Sequence, residues 1–488
     1  MWRGCPQVSP RGGGGPGGDQ RAHPGAAAVL LLHRLARLLL RGSARLRQAG
    51  GAFLHRDQDG HRTLVRRRHS QRPQHDHSAA LMAGCPGALT DRNGSNKYKE
   101  ANKMDFTLTP DQQAYVEAAS AFAEEALKPH AARWDKEHEF PIPTIKQAAA
   151  LGFCGLYTPE QYGGLGLPRL DASLIFERLA MGCTSTTAYL TIHNMVSWML
   201  GSWLPPEVAE EWVPRLAGGE LLGSYCLTEP GAGSDAAALK TRAVRDGEDY
   251  LLDGSKVFIS GAGSTDVLVV MARTGGEGAK GISAFMVPAE TPGVSYGKAE
   301  EKMGWNSQPT REVNFSAVRI PARYRLGQEG EGFKFAMQAL DGGRINIATC
   351  SVGTAQQALD DALAHVQQRQ QFGHPISEFQ SVQFRLADMA TELAAARLLV
   401  RQAAARLDAG APDKSAWCAM AKRFATDVGH RVCDDALQLF GGYGYIREYP
   451  LERYLRDTRV HRILEGTNEV MRLIIARRLL AEPGLALE

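Results

Sequence analysis

The sequence predicts an α+β fold in which a block of helices, a block of strands and a second block of helices follow one another. Three observations support it. Apolar residues recur at helical spacing from Thr109 to about Glu220, short β-branched and aromatic runs begin at about Ser224, and helical spacing returns after Gly332. Because the helical and strand blocks are separate, we do not expect an alternating α/β architecture with a parallel sheet.

The chain is long enough for several domains. It has 488 residues, of which 44% are apolar and 22% charged, as is typical of globular proteins. We expect four segments, namely a basic extension (1–103), an N-terminal helical domain (104–223), a middle β-barrel or β-sandwich domain (224–335) and a C-terminal helical bundle (336–484).

The extension differs from the rest of the chain in charge. Residues 1–103 contain 18 Lys and Arg against 6 Asp and Glu, whereas the remainder contains 38 and 47. An Arg-rich, acid-poor segment is typical of a mitochondrial transit peptide. Its length favours the alternative of non-native or upstream sequence before a start at Met104, and a disordered basic tail is a third explanation. The net charge of −9 on the remainder disfavours a nucleic-acid-binding protein.

Other classes are disfavoured by the residues themselves. No run reaches the roughly 18 apolar residues that a membrane-spanning helix needs. The eight cysteines include no CxxC pair, which argues against a disulfide framework and a zinc site and suits a reducing compartment. We expect no metal, no nucleic-acid partner and no membrane span, and a location in the bacterial cytoplasm or the mitochondrial matrix.

The helical blocks carry a start signal and buried faces. Thr109-Pro110-Asp111-Gln112 is a capping box with proline at the first helical position. The spacing that follows predicts one buried face, formed by Tyr115, Ala119, Phe122 and Ala126. A similar spacing predicts the seam of a bundle helix at Val382, Leu386, Met389, Leu393, Ala396 and Val400.

The middle block has the composition of short strands separated by turns. The runs that predict strands are 243–245, 250–252, 256–260, 267–271 and 282–287. Between them, Asp246-Gly247, Asp253-Gly254 and Gly275-Gly276 predict turns.

Three segments suit ligand binding, and each also has an ordinary structural explanation. Tyr225 to Asp235 has small residues and hydroxyls that let a backbone approach a phosphate or a ring heteroatom, or it is a plain Gly/Pro loop without the third glycine of GxGxxG. Gln438 to Tyr445 contains glycines that also end helices. Arg369 to Gly373 offers a guanidinium for a pyrophosphate, or a solvated helix end.

Glu465 is the candidate base. It follows Ile463 and Leu464 and precedes a Gly-Thr-Asn break that predicts the start of the last helix. An apolar setting would disfavour the charged carboxylate, raise its pKa and make it a stronger base. The alternative is a solvated carboxylate at a helix end.

Taken together and in this order, the segments resemble the acyl-CoA dehydrogenase family. Cys226 to Asp235 is similar to the family's first signature, and Gln438 through Gly444, Tyr445, Glu448 and Arg453 to Asp457 is similar to its second. The resemblance covers about Met104 to Pro483. Four further motifs are similar to those of members that act on isobutyryl-CoA, and they lie at 185–189, 258–263, 304–311 and 463–466.

The resemblance implies a C-terminal four-helix bundle and a homotetramer, a dimer of dimers, with one FAD per subunit. The residues that it implies for flavin binding are Tyr225, Cys226, Leu227, Thr228, Gly233, Ser234, Phe258, Ile259, Ser260, Thr467, Asn468 and Glu469. Those implied to reach the FAD of a neighbouring subunit are Arg369, Phe379, Gln380, Gln438, Leu439, Phe440, Gly441 and Gly442. Phe258 stands where the family often has Trp.

The resemblance also implies the acyl-CoA contacts, at Ser234, Asp341, Gly342, Gly343, Arg344, Gly466 and Arg477. Glu465 matches the catalytic base, although some relatives carry that base on another helix, and Asp341 stands where near relatives often have Asn. An α-proton beside a thioester is weakly acidic, so its removal needs a dry site and donors to the carbonyl oxygen. FAD would take the hydride from the β-carbon.

The sequence therefore predicts FAD-dependent α,β-dehydrogenation of a short branched acyl-CoA, isobutyryl-CoA to methacrylyl-CoA in valine breakdown, with electrons passing to an electron-transfer flavoprotein. One alternative is a 2-methylbutyryl- or short straight-chain acyl-CoA as substrate. Another is a flavin-bearing, DNA-associated stress protein, which the acidic body disfavours.

Overall fold

The computed structural model of the protein describes residues 107–481, and the basic extension lies outside them. Within this part, helices are followed by one mixed sheet and then by helices again, which confirms the predicted α+β fold. No helix in this range is both long enough and apolar enough to cross a membrane.

The first described block is helical. Its helices are α1 Pro110–Phe122, α2 Ala131–Glu137, α3 Ile142–Ala150, α4 Arg169–Gly182, α5 Thr184–Trp203 and α6 Pro206–Ala217. Helix α1 begins at Pro110, as the capping-box motif predicts, and continues through a π-helical turn at Ala123–Leu127. Its predicted face is buried at Tyr115, Ala119 and Phe122.

The middle block is an eight-stranded mixed sheet. Its strands are β1 Gly223–Cys226, β2 Arg242–Asp246, β3 Asp249–Ser260, β4 Val267–Arg273, β5 Ile282–Pro288, β6 Val294–Tyr296, β7 Thr310–Pro321 and β8 Arg325–Leu326. Their order is β6-β7-β3-β2-β4-β5-β8, and β1 pairs with β4 in parallel.

Strand β4 is buried on both faces, which explains its uninterrupted apolar sequence. Val267, Val269 and Met271 share a core with side chains of the helices, whereas the alternate residues join the core of the sheet itself. Strand β4 therefore packs against the helices, and β1, which pairs with β4, is held beside the helical block.

The prediction of a turn at Asp253-Gly254 is wrong, because β3 continues through these two residues. The register between β3 and β7 shifts between Leu252 and Gly254, so the glycine lies in a β-bulge. Its φ is 145°, and a Cβ there would lie 2.7 Å from the Cα of Thr241. The glycine therefore serves a close backbone approach inside a strand. The other two turn dipeptides do connect strands.

The last described block is dominated by three long helices. Its elements are α7 Gly332–Gln368, β9 Gln370–Gln371, β10 His374–Pro375, α8 Gln380–Asp408, α9 Lys414–Phe440, α10 Gly442–Tyr445, α11 Leu451–Arg459 and α12 Asn468–Ala481. The long helices share one core, and the predicted seam of α8 is buried within it from Met389 to Val400.

Candidate functional site

Two of the predicted flavin-binding segments lie side by side. The Ser224 hydroxyl, in β1, donates a hydrogen bond to the carbonyl of Ser260 at 2.7 Å. The backbone N–H of Val257 donates to the carbonyl of Thr228 at 2.9 Å. The loop after β1 and the end of β3 therefore form one surface.

A buried ion pair fixes this surface from behind. The Lys256 ammonium donates to Oε1 of Glu229 at 2.8 Å and to the carbonyl of Leu227 at 3.0 Å. Glu229 also accepts hydrogen bonds from the backbone N–H groups of Lys240 and Thr241. Burial opposes ionisation, but the Lys256 charge and these hydrogen bonds together lower the pKa of Glu229. Both side chains are buried. Their hydrogen bonds connect the start of the loop, at Leu227, to its end, at Lys240 and Thr241.

Phe258 is displayed on this surface by a second bulge of β3. The register shifts between Lys256 and Ile259, and Phe258 takes a left-handed φ of 59°. Its ring is 68% exposed. An apolar ring held outward by a strained backbone at a β-bulge is typical of a ligand contact.

The surrounding groups fit a flavin. The hydroxyl of Tyr225 is buried, and no group among residues 107–481 pairs with it. A Cβ at Gly231 or Gly233 would meet open space, so packing within the chain does not explain these glycines. An exposed aromatic ring, an unpartnered hydroxyl and an open glycine loop suit a planar ligand with polar edges.

The remaining predicted residues of this segment differ in what they offer. Gly233 and Ser234 are exposed, and Thr228 and Ser260 are half-buried. Cys226, Leu227 and Ile259 are buried in the protein core. These three can contribute only backbone groups to a ligand.

Glu465 lies in a tight turn between α11 and α12. Its φ is 55° and that of Gly466 is 86°, both in the left-handed region. The turn directs the carboxylate against Gly343 of α7, where a Cβ would overlap it. Oε2 is buried, and within the described part of the chain it has no hydrogen-bond partner. A strained backbone that holds an unpartnered carboxylate is typical of a functional site.

Burial dominates the electrostatics of Glu465. It raises the pKa of the carboxyl to about 7, although the nearby charges of Arg344 and Lys422 act in the opposite direction. The Glu465 charge in turn contributes, after burial, to the raised pKa of Tyr225. The carboxyl is therefore close enough to the Tyr225 hydroxyl for their charges to interact.

Lys422 and Asn468 support this turn. The Lys422 ammonium donates to the carbonyl of Gly466 at 2.7 Å and to Oδ1 of Asn468 at 2.9 Å. Burial lowers the pKa of Lys422 to about 8. The Asn468 amide donates to Thr426 and Asp427. The side chain of Asn468 is thus engaged inside the protein rather than offered to a cofactor.

The neighbouring predicted residues are less enclosed. Thr467 accepts a hydrogen bond from the backbone N–H of Val470 and caps α12. Glu469 is exposed and pairs with Arg472. Arg477 is also exposed, further along α12.

The predicted substrate residues of α7 form a compact group beside Glu465. Arg344 donates to Oδ1 of Asp341 at 2.7 Å, and both side chains are buried. Ser415 donates to the other oxygen of Asp341 at 2.5 Å. Nε of Arg344 lies 3.4 Å from the carbonyl oxygen of Glu465 and donates to it. The Asp341–Arg344 pair thus joins α7, α9 and the Glu465 turn.

The structure adds Tyr157 and Arg169, which sequence reasoning missed. The Tyr157 hydroxyl accepts a hydrogen bond from Asn346 at 3.1 Å and donates to the carbonyl of Thr191 at 3.4 Å. The Arg169 guanidinium stacks on the Tyr157 ring. No local motif marks either residue, because their partners are distant in sequence.

The other predicted flavin-binding residues lie at a different place. Cζ of Arg369 is 5.5 Å from the centre of the Tyr443 ring, so the loop of Arg369, Phe379 and Gln380 meets the end of α9 at Gln438 to Gly442. Along a straight helix, Lys422 and Gln438 are about 24 Å apart. The structure therefore does not bring this group to Glu465 within one chain.

Residues 107–481 contain no cluster of His, Cys, Asp or Glu that could hold a metal ion. The Glu465 turn offers a carboxylate of raised pKa with one buried, unpartnered oxygen, and buried cationic and hydroxyl groups lie nearby. This arrangement suits proton abstraction from a neutral substrate.

The chain is similar to known proteins along most of the residues that the structure describes. The family models for the N-terminal, middle and C-terminal domains of acyl-CoA dehydrogenase match residues 109–220, 224–318 and 330–480. The mitochondrial isobutyryl-CoA dehydrogenase of Dictyostelium discoideum is 54% identical over 373 residues, which are 76% of this chain and 90% of that protein.

Solved structures agree. Butyryl-CoA dehydrogenase from Megasphaera elsdenii superposes with a TM-score of 0.75 at 40% identity, over 77% of this chain and 100% of that one. A chain solved in a study of the electron transferring flavoprotein of Acidaminococcus fermentans gives a TM-score of 0.76 at 43% identity, over 78% and 100%.

Proposed function

Since this chain belongs to the acyl-CoA dehydrogenase family of FAD-dependent oxidoreductases, we propose that it oxidises isobutyryl-CoA to methacrylyl-CoA, with Glu465 as the catalytic base. The observation that carries the proposal is the buried, unpartnered Oε2 of the half-buried Glu465, whose pKa burial raises to about 7. At neutral pH such a group is partly ionised and is a stronger base than an exposed glutamate.

The protein's own residues would divide the work between positioning and proton transfer. Gly343 leaves room for the carboxylate, and Lys422 holds the carbonyl of Gly466, so the backbone that carries the base is fixed. Glu465 would then remove the α-proton of the thioester and hold it. Bound FAD would supply the acceptor for the hydride from the β-carbon.

The flavin would rest on the surface formed by the loop after β1 and the end of β3. Phe258 offers a ring face, and the Tyr225 hydroxyl is free to bond a polar atom. The charge interaction between Tyr225 and Glu465 supports the proposal that flavin and base face one another across the substrate.

We extend the proposal to a homotetramer in which subunits share flavin sites. Gln438, near the end of α9, is about 24 Å along that helix from Lys422, and Arg369 lies beside Tyr443 just beyond that end, so this group is too far away to contact the same flavin ring. Gly441 and Gly442 would each accept a Cβ into open space. A neighbouring subunit's FAD would occupy this space.

The choice of isobutyryl-CoA draws on the named relative at 54% identity. A straight C4 chain is the main rival, because the structural neighbour from Megasphaera elsdenii is a butyryl-CoA dehydrogenase. Electrons would pass to an electron-transfer flavoprotein, in line with the subject of the Acidaminococcus study. The expected compartment is the mitochondrial matrix or the bacterial cytoplasm.

Substrate profiling of the purified yellow protein tests this proposal. Steady-state kcat/KM would be compared for isobutyryl-, 2-methylbutyryl- and butyryl-CoA with an electron-transfer flavoprotein as acceptor. We expect kcat/KM for isobutyryl-CoA to exceed that for each of the other two substrates by about tenfold. A higher value for butyryl-CoA would assign the protein to the straight-chain alternative, and no flavin reduction by any of the three would reject the proposal.

A further inference from the structure

We propose that Arg169 is a specificity-determining residue, whose guanidinium closes the acyl end of the substrate pocket and limits it to short chains. This inference rests on the proposed function, because it assigns a wall to the pocket of that same site.

The backbone of Arg169 is fixed independently of its side chain. Arg169 is the first residue of α4, and its N–H donates to Oδ1 of Asp408 at 2.7 Å. The N–H of Leu170 donates to the other oxygen of that carboxylate at 3.0 Å. The guanidinium can therefore be removed while the start of α4 stays attached to α8.

The guanidinium is packed between two aromatic rings. Its Cζ is 3.5 Å from the centre of the Tyr157 ring and 4.8 Å from that of Trp198. Such cation–π contacts are favourable, and more so when they are desolvated. The side chains of Arg169, Tyr157 and Trp198 thus form a layer, and displacement of the guanidinium would break its contacts with both rings.

Two adjacent glycines of α7 connect this layer to the base. A Cβ on Gly343 would be 2.8 Å from Cδ of Glu465, and a Cβ on the adjacent Gly342 would be 3.0 Å from Cζ of Arg169. Because consecutive Cα atoms are about 3.8 Å apart, the two charged carbons are within about 13 Å of each other.

The Tyr157 hydroxyl interacts with both charges. Burial raises the pKa of its hydroxyl, the Arg169 charge lowers it and the Glu465 charge raises it. In the proposed pocket, an acyl chain whose α-carbon meets Glu465 would extend towards Tyr157 and Arg169.

The charge of Arg169 makes this wall selective. Nη1 is buried, and none of the residues from 107 to 481 accepts a hydrogen bond from it. An extended alkyl chain would have to displace the guanidinium from its rings or desolvate it further, and both are unfavourable. A short branched chain ends before this contact and leaves the layer intact.

Replacement of the cation by an apolar side chain of similar length tests the inference. In the flavin-loaded Arg169→Met protein, we expect the ratio of kcat/KM for hexanoyl-CoA to that for isobutyryl-CoA to rise about tenfold, mainly through a lower KM for hexanoyl-CoA. Arg215→Met is the matched control, because Arg215 is exposed and pairs with Glu220 on the surface. Its ratio should equal that of the unsubstituted protein.

A second variant and a binding measurement guard against a folding defect. Arg169→Lys keeps the charge but loses the planar stack, so the ratio should rise by less than in Arg169→Met. In the Glu465→Gln background, Arg169→Met should lower the Kd for hexanoyl-CoA about tenfold relative to that for isobutyryl-CoA. If Arg169 had a merely structural role, its replacement would weaken the binding of all acyl-CoAs by the same factor.

The outcomes separate the two proposals. An unchanged ratio in every folded variant of Arg169, with isobutyryl-CoA still oxidised by the unsubstituted protein, would overturn only the assignment of Arg169. An unsubstituted protein that oxidises no short acyl-CoA would overturn the proposed function itself.

Discussion

Gly343 and Glu465 are in contact between α7 and the turn that precedes α12. A Cβ at position 343 would lie 2.8 Å from Cδ of Glu465, which is closer than a carbon atom can approach. Because Gly343 has no side chain, the Glu465 carboxylate can occupy this space. The contact couples the direction of the base to the backbone of α7.

We expect Gly343→Ala to reduce catalysis more than stability. The methyl group would displace the end of a flexible side chain, so the free energy of unfolding should change by less than about 1 kcal/mol. The carboxylate would be misdirected, and kcat for isobutyryl-CoA should fall about tenfold. Single-turnover flavin bleaching and denaturant unfolding measure the two quantities.

Gly276→Ala is the control for this substitution, since a Cβ there would meet open space in the turn after β4. It should leave kcat unchanged. A Gly343→Ala protein that bleaches as fast as the unsubstituted one would show that the contact has no part in directing the base.

The pH dependence of kcat/KM should report Glu465. Because burial raises its folded-state pKa to about 7, the base is ionised above that pH and becomes protonated below it. We therefore expect kcat/KM for isobutyryl-CoA to fall about tenfold per pH unit below 7. Steady-state kinetics from pH 5.5 to 9 provide the measurement.

Substitution of Lys422 should move this acid limb. Its charge lowers the pKa of Glu465, so Lys422→Met should shift the limb to higher pH. Lys334→Met, which removes an exposed lysine, should not shift it. A profile that is flat down to pH 5.5 would contradict the assignment of a raised pKa to the base.

Removal of one partner from the buried ion pair of Lys256 and Glu229 should strongly destabilise the fold. Lys256→Met leaves a buried carboxylate without its cation and should lower the free energy of unfolding by about 3–5 kcal/mol. Flavin retention should fall as well, because the loop after β1 loses its anchor. Urea unfolding and the absorbance of bound flavin measure the two effects.

The exposed pair of Arg319 and Asp246 gives the comparison. Arg319→Met should cost far less stability than Lys256→Met, because solvent screens an exposed pair, and it should leave the flavin content unchanged. Equal losses for Lys256→Met and Arg319→Met would mean that burial of the first pair has no energetic consequence.

Shared flavin sites predict complementation between defective chains. Glu465→Gln removes the base, and Arg369→Ala removes a contact offered to the neighbour, so each protein alone should have little activity. In mixed oligomers, about a quarter of the sites should combine an intact Glu465 with an intact Arg369 of the partner chain. Activity after co-expression, compared with mixing of the separately assembled proteins, is the measurement. Failure to regain activity in verified mixed oligomers would place Arg369 outside a shared site.

Local sequence patterns were sufficient for the order of the blocks and for the helix faces. The start of α1 at Pro110 and the buried seam of α8 depend on spacing within one element, and both are confirmed. Strand β7 was not predicted, and Asp253-Gly254 was misinterpreted as a turn. A bulge forms because β7 pairs across β3, and no dipeptide contains that information.

The same distinction holds for the candidate site. Glu465 and the flavin-loop segments could be selected from motifs, because their residues are contiguous. Arg169, Lys256 and Lys422 could not, since their partners are carbonyl, carboxylate and aromatic groups from distant parts of the chain. Asn468 was predicted as a flavin contact, yet its amide is engaged by α9, which only the packing of α12 reveals.

The most direct test of the account is anaerobic mixing of isobutyryl-CoA with flavin-loaded Glu465→Gln protein. The amide keeps the size of the side chain but cannot accept the α-proton. We predict rapid loss of the flavin absorbance in the unsubstituted protein and a rate at least about a thousandfold lower in the variant, with acyl-CoA binding retained. Bleaching of the variant at the unsubstituted rate would contradict the role of Glu465 as the base.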